Sequence, residues 1–300
     1  MSITVVNLNP CVDVIYRVPS LLHGGTNRVT VTQEEAAGKG INVAEQLKKL
    51  NQSPTCLGFN FMQDGEKLTQ KLDSLKIAHN FENVPGKLRT NIKLYENSGV
   101  MTELNRQGDY VPDIHVKNLI SQVAEANDPN GILVLCGSLP PSVPTNIYAK
   151  LTALWQGRVF LDTSGEPLQL ALESKLFAIK PNIHELSATF GVTLSTPQDV
   201  AAFCRNRLSH IPMVCVSMGA DGAVLVTPSE AYFCPIAEVK AKRLQGAGDA
   251  MVAGLIHGVL EDKTPPDILR YGVASATAIV ADAKFENMLK KVAVPCKLHV

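Results

Sequence analysis

Gln245-Gly246-Ala247-Gly248-Asp249 is the stretch of this 300-residue chain whose residue types could most directly do chemistry. Two glycines flanking an alanine let the backbone turn tightly. The apolar spacing of Met251, Val252, Leu255, Ile256 and Val259 predicts a helix starting at once. The first N–H groups of such a helix lack partners and sit at its positive end, so the turn suits the charge that builds on a transferring phosphoryl group. An aspartate there could accept the proton of an attacking hydroxyl. It could equally be an ordinary first-turn carboxylate, which the dipole favours in any helix. Taken alone, the turn leaves both readings open.

Other chemistries fail on residue type or spacing. Gly38-Lys39-Gly40-Ile41-Asn42-Val43 and Gly246-Ala247-Gly248-Asp249-Ala250-Met251 both lack the third glycine of Gly-x-Gly-x-x-Gly, and no good strand is expected directly before either, so dinucleotide binding is not expected. Neither a Gly-x-x-x-x-Gly-Lys-Ser/Thr loop nor a Gly-x-Ser-x-Gly elbow occurs. The 7 cysteines are scattered and mostly lie inside apolar runs, as reduced, buried thiols do. Without Cys-x-x-Cys pairs or clustered histidines no zinc site is expected. Lys and Arg balance Asp and Glu at 28 each, so no broad basic field exists for nucleic acid or an anionic membrane, and phosphate binding must be local. A composition 45% hydrophobic and 19% charged predicts a sizeable core. The first residues show neither a basic leader nor an apolar run of spanning length, so a cytoplasmic enzyme is expected.

The elements that must position such a turn are legible as alternating runs. Residues 3–8, 55–59, 132–136, 159–162, 176–179 and 213–217 are short and apolar, and each predicts a strand buried on both faces. Helix-period segments lie between and after them, at 42–49, 64–75, 116–126, 144–155, 197–208, 248–260 and 266–283. That alternation predicts an α/β fold with right-handed crossovers, a mostly parallel sheet, helices on both faces, and ligands beyond the carboxyl ends of the strands. Residues 13–32 and 90–104 instead alternate apolar and polar positions, as half-buried antiparallel strands do. They read either as one small sheet forming a lid or as two separate edge strands. One main domain over residues 1–300, with this lid, is expected.

Eight segments in order carry a family resemblance: Leu8-Asn9-Pro10-Cys11-Val12-Asp13, Gly38-Lys39-Gly40-Ile41-Asn42-Val43-Ala44, Arg89-Thr90-Asn91-Ile92-Lys93, Gly137-Ser138-Leu139-Pro140-Pro141, Asp162-Thr163-Ser164-Gly165, Lys180-Pro181-Asn182-Ile183-His184-Glu185-Leu186, Ser217-Met218-Gly219-Ala220-Asp221-Gly222 and the Gly246–Asp249 turn. Over nearly its full length the chain resembles the ribokinase-like sugar kinases of the PfkB family, most of all their sugar-phosphate branch. The resemblance implies a three-layer sandwich with a small β lid, ATP and Mg2+, and a homodimer formed through the lid. It implies Asp249 as catalytic base, with Gly246, Ala247 and Gly248 as the anion-holding turn. It places Asp13, Gly38 and Asn42 on the sugar hydroxyls, and Lys39 and Arg89, with Arg28 as a further candidate, on the phosphate already carried by the substrate. Ser138 would also touch substrate. Lys180, Ser217, Gly219 and Gly222 would contact the nucleotide, and Asn182 and Glu185 would position Mg2+ through water.

From residue type alone each has an ordinary alternative. Asp13 could be a solvated strand end, Asn42 a helix N-cap, Glu185 a first-turn carboxylate, and residues 217–222 a hairpin turn. The resemblance implies phosphorylation of fructose 1-phosphate to fructose 1,6-bisphosphate, with tagatose 6-phosphate, fructose 6-phosphate or a non-catalytic regulator of the same fold as alternatives. Three departures stand out: Ala37 where a glycine is usual, Arg243 and Gln245 in the lead-in to the turn, and a short glycine-poor stretch around 282–287 that leaves adenine contacts unassigned.

Overall fold

Apolar runs and helix-period segments alternate in space as they do in sequence. The computed structural model describes residues 1–242 and 245–299, so Arg243 and Leu244 lie outside the described residues. In chain order it runs β1 (Ile3–Asn7), β2 (Cys11–Val18), β3 (Thr30–Ala37), α1 (Lys39–Lys49), β4 (Pro54–Gln63), α2 (Glu66–Ser74), β5 (Ala78–Lys87), β6 (Arg89–Glu96) and β7 (Met101–Asn105). It continues with α3 (Asp113–Glu125), β8 (Ile132–Cys136), α4 (Ile147–Leu154), β9 (Arg158–Asp162), α5 (Gly165–Ala171), β10 (Ala178–Ile179), α6 (Ile183–Phe190), α7 (Pro197–Arg207) and β11 (Met213–Ser217). The last elements are β12 (Ala223–Val226), β13 (Ala231–Cys234), α8 (Ala247–Leu260), α9 (Pro265–Ala281), α10 (Phe285–Lys291) and β14 (Cys296–Leu298).

A 10-stranded sheet has the order β14-β13-β12-β11-β10-β9-β8-β1-β4-β5. From β11 to β5 every pairing is parallel, while β12, β13 and β14 extend the edge antiparallel. Successive residues of one strand point to opposite faces, and each face has its own apolar core. Val6, Leu133, Leu135 and Leu161 pack with α3, α4, α5 and α7 on one side. Val5, Ile132, Val134 and Phe160 pack with α1, α2, α8 and α9 on the other. The result is the ribokinase-like three-layer α/β fold. The chain leaves β1 toward β4 and returns on its other side at β8, so the strand order reverses beside β1, where such sheets open a crevice.

The four remaining strands form a second sheet in the order β3-β2-β6-β7. The stretches 13–32 and 90–104 therefore meet in one small sheet, with a correction: β2 and β6 pair parallel, and only the β2–β3 and β6–β7 pairs are antiparallel. Two further expectations change. Glycine 38 directly follows β3, a strand so exposed and polar (Thr30-Val31-Thr32-Gln33-Glu34-Glu35) that no apolar run announces it. And Cys296 is exposed, unlike the six other cysteines. Among the described residues no helix is long and apolar enough to cross a membrane.

Candidate active site

The crevice is built from strand ends and two helix starts. Gly38 is the N-cap of α1 with φ 142°, and a Cβ there would come within 2.8 Å of Asn7 Nδ2 at the end of β1, so only glycine fits. Ala37 has no positive φ, so the alanine in place of a glycine carries no strain. Asn42 is not the cap; it lies one turn inside α1, where its backbone N–H donates to Gly38 O at 2.9 Å. Its side chain is thereby free to reach α8, and Nδ2 donates to Asp249 Oδ2 at 2.7 Å.

Asp249 sits in the first turn of α8, whose N-cap is Gly246 in the left-handed conformation (φ 80°). The carboxylate is buried. Burial, then the nearby Asp162 charge, raise its pKa to about 6, against the pull of the Asn42 hydrogen bond, Lys39 and Lys180. Opposite it stands a cluster at the ends of β9 and β10. Lys39 Nζ lies 3.2 Å from Asp162 Oδ1 and 3.8 Å from Glu185 Oε1, and Lys180 Nζ lies 3.6 Å from the same Asp162 oxygen. Burial works against the Lys39 charge, yet Asp162, Glu185 and Asp249 hold its pKa above the usual lysine range. A Cβ on Gly248 would stand 3.5 Å from Lys180 Nζ, so this lysine faces the glycine turn itself. Lys39 thus stands among Asp162, Glu185 and Asp249, at the same end of the crevice as Lys180.

Asn182 caps α6 and exchanges two 2.8 Å bonds with Glu185, a reciprocal capping box. The Asn182 side-chain oxygen and one Glu185 oxygen are therefore committed to the backbone, and the second Glu185 oxygen faces Lys39. Asn182 bridges to Ser217 at the end of β11. The turn after Ser217 needs its glycines: Gly219 and Gly222 have φ 61° and 124°, and a Cβ on Gly222 would meet Cys234 O at 2.1 Å. This turn is the hairpin joining β11 to β12.

The second face of the crevice belongs to the small sheet. A cleft of about 740 Å³ opens between β2, β3 and β6, α1, and the segment entering α8; Asp13, Asn42, Gln245 and Gly246 all line it. Asp13 is buried and holds four donors: the Lys93 ammonium in direct contact, Asn91 Nδ2 at 3.2 Å, Gln245 Nε2 at 2.7 Å and Cys11 Sγ at 3.4 Å. Arg89 is turned inward instead. Its guanidinium donates to Asn9 O at 2.9 Å, Arg106 O at 2.8 Å and Asn91 Oδ1 at 3.3 Å, bracing the turn before β2. Ser138 Oγ accepts from Asn9 Nδ2 at 3.1 Å, and Arg28 is exposed in the β2–β3 connection.

Two residues that sequence reasoning gave no role belong to the site. Asp162, 1% exposed, carries an oxygen, Oδ2, with no hydrogen-bond partner. Lys93, 5% exposed, neutralises Asp13. Asp162 ends the apolar run 159–162, and Lys93 shares a strand face with Asn91, so the signal for both was strand position.

A ribokinase-like sheet with a glycine-entered helix at its crevice defines a class of phosphotransferase with an alcohol acceptor. The family model for pfkB family carbohydrate kinases matches residues 3–291, and the chain belongs to that family. It is thus a carbohydrate kinase with ATP as co-substrate. It is 35% identical over 277 residues to the 1-phosphofructokinase of Bacillus subtilis (strain 168), covering 91% of this chain and 90% of the relative. To the 1-phosphofructokinase of Rhodobacter capsulatus it is 35% identical over 266 residues, covering 86% and 83%. The solved structure of phosphofructokinase-2 from Escherichia coli in complex with substrates and products aligns with TM-score 0.90 at 27% identity, covering 97% of this chain and 99% of that one.

Proposed function

We propose that this kinase transfers the γ-phosphoryl group of ATP to a hydroxyl of a ketohexose phosphate, foremost fructose 1-phosphate, giving fructose 1,6-bisphosphate. The relatives from Bacillus subtilis and Rhodobacter capsulatus, both named 1-phosphofructokinase, support the substrate. The observation that carries the reaction is Asp249: a buried carboxylate in the first turn of a glycine-entered helix, near two lysines and hydrogen-bonded to Asn42, which lines the Asp13 cleft.

A base of pKa about 6 is mostly ionised at neutral pH yet more basic than an exposed aspartate, which suits proton removal from an alcohol as it meets the phosphoryl group. The free amides at the start of α8, with Lys39 and Lys180, hold the charge on the transferred oxygens. Lys39 therefore serves the group in transfer, and the acceptor's own phosphate falls to Arg89, which would give up a carbonyl bond, and to Arg28. Asp13 and Asn42 hold the sugar hydroxyls, with Gly38 giving close backbone approach and Ser138 at the rim. Ser217, Gly219 and Gly222 present backbone to the nucleotide.

Among the described residues no group of three His, Cys, Asp or Glu could chelate a metal. The donors near the nucleotide end are oxygens only, and the unpartnered Asp162 Oδ2 lies beside them, so the site fits a hard cation that keeps most of its water. Asn182 and Glu185 would hold Mg2+ through water, where it would neutralise phosphate charge.

The face of the small sheet turned away from Asp13 exposes Val31 (56%) and Leu104 (58%), which pair with Tyr16 and Ile92. An apolar sheet face of this kind fits a second copy of the chain. The double variant Val31→Asp, Leu104→Asp is expected to elute as a monomer where the parent elutes as a dimer; a monomeric parent would refute the lid dimer. For the reaction, ATP-dependent turnover is compared across fructose 1-phosphate, tagatose 6-phosphate, fructose 6-phosphate, free fructose and free ribose. The highest kcat/KM is expected for fructose 1-phosphate. Activity on the free sugars alone would overturn the sugar-phosphate assignment.

A further inference from the structure

We propose that Gln245 is a positioning residue: its amide occupies Asp13 when no acceptor is bound and yields that place to an acceptor hydroxyl. This rests on the reading of Asp13 as an acceptor contact.

An ionised carboxylate offers about four lone-pair sites. In Asp13 all are taken: Oδ1 accepts from Asn91 Nδ2 and Cys11 Sγ, and Oδ2 accepts from Lys93 Nζ and Gln245 Nε2. For a sugar hydroxyl to donate to Asp13, one donor must leave. Lys93 is a buried ammonium, and parting it from its carboxylate would strand two charges away from water. Asn91 lies directly opposite Asp13 in the β2–β6 register, and Cys11 is on the same strand. Gln245 alone reaches Asp13 from the facing wall of the cleft, as a neutral amide, and it is partly exposed there. Exchanging that amide for a hydroxyl keeps the donor count unchanged and separates no charges.

Position gives the exchange a second consequence. Gln245 immediately precedes Gly246, the N-cap of the helix that carries Asp249. The Asp13–Gln245 bond thus ties the acceptor side of the cleft to the lead-in of the glycine turn, and acceptor binding releases the tie where the phosphoryl group must be received.

The test is Gln245→Met, which keeps the length and removes the donor, with Gln245→Ala as a second variant and Asp13→Asn in parallel. KM for fructose 1-phosphate is expected to fall about threefold to tenfold in both Gln245 variants, the net scale of one ordinary hydrogen bond. KM for ATP should stay the same. An unchanged acceptor KM in both variants would overturn the proposal, and a raised one would too, since it would make Gln245 a direct acceptor contact. Asp13→Asn separates the two layers of the argument. If it raises the acceptor KM about tenfold or more while the Gln245 variants change nothing, only the exchange is wrong; if it too leaves KM unmoved, the reading of Asp13 itself fails.

Discussion

Asp249 and Asp13 are both buried, Asp13 lining the cleft and Asp249 bound to Asn42 of its lining, yet the protein treats them in opposite ways. Asp13 has an ammonium in direct contact and three further donors. Among the described residues Asp249 has one hydrogen bond, from Asn42, and the lysines near it are paired with Asp162 instead. A carboxylate saturated with donors is held in one place, and a ligand hydroxyl can join it only in exchange for a donor. One left under-solvated among like charge gains proton affinity, suited to removing a proton. The difference between anchor and base is thus made by neighbours and not by residue type.

Removing the base should have the largest effect. Asp249→Asn is expected to lower kcat by about two to four powers of ten while KM for ATP changes little. The same variant should also be more stable at high pH. Because the folded pKa, about 6, lies above the usual 3.8, the stabilisation from protonated Asp249 is full below 3.8 and lost as pH rises through 6. At pH 8 the buried charge therefore costs about 2 to 3 kcal/mol, and the asparagine should recover part of it in urea unfolding. At pH 8 a less stable Asp249→Asn would break the contrast between the two aspartates.

Breaking the anchor should show up differently. Lys93→Met leaves the Asp13 charge buried without its cation, which costs about 3 kcal/mol in urea unfolding, the low end for such pairs because Asn91 and Gln245 remain. Its acceptor KM should rise, with the pH dependence of turnover unchanged. An unaltered unfolding midpoint would mean that Lys93 contributes nothing to Asp13.

The parallel sheet was legible because its strands are short, apolar and separated by helix-period segments; the runs at 132–136 and 213–217 match β8 and β11 residue for residue. Elements with little periodicity were not. Helices α5 and α10 have 7 residues each, about two turns, and β3 is exposed along most of its length, so its polar sequence reads as loop. The glycine turn stood out because its tight backbone requires those residue types, whereas Asn42 and the Asn182–Glu185 pair stood out through the family resemblance. Lys93 and Asp162 did not, since a lysine in an alternating strand looks solvated and an aspartate ending a strand looks ordinary. What makes them functional is a partner far along the chain: Asp13 lies 80 residues from Lys93, and Lys39 lies 123 residues from Asp162. The Gln245–Asp13 bond spans 232 residues and left only one trace in the sequence, an unusual residue before the glycine turn.

The pH dependence of kcat for fructose 1-phosphate, followed from pH 5 to 8 with saturating ATP and magnesium, tests most directly whether Asp249 is the tuned base. Activity requires the ionised carboxylate, so turnover should be full above the folded pKa and fall tenfold per pH unit below a single ionisation near 6. A rate that stays flat down to pH 5 would contradict it.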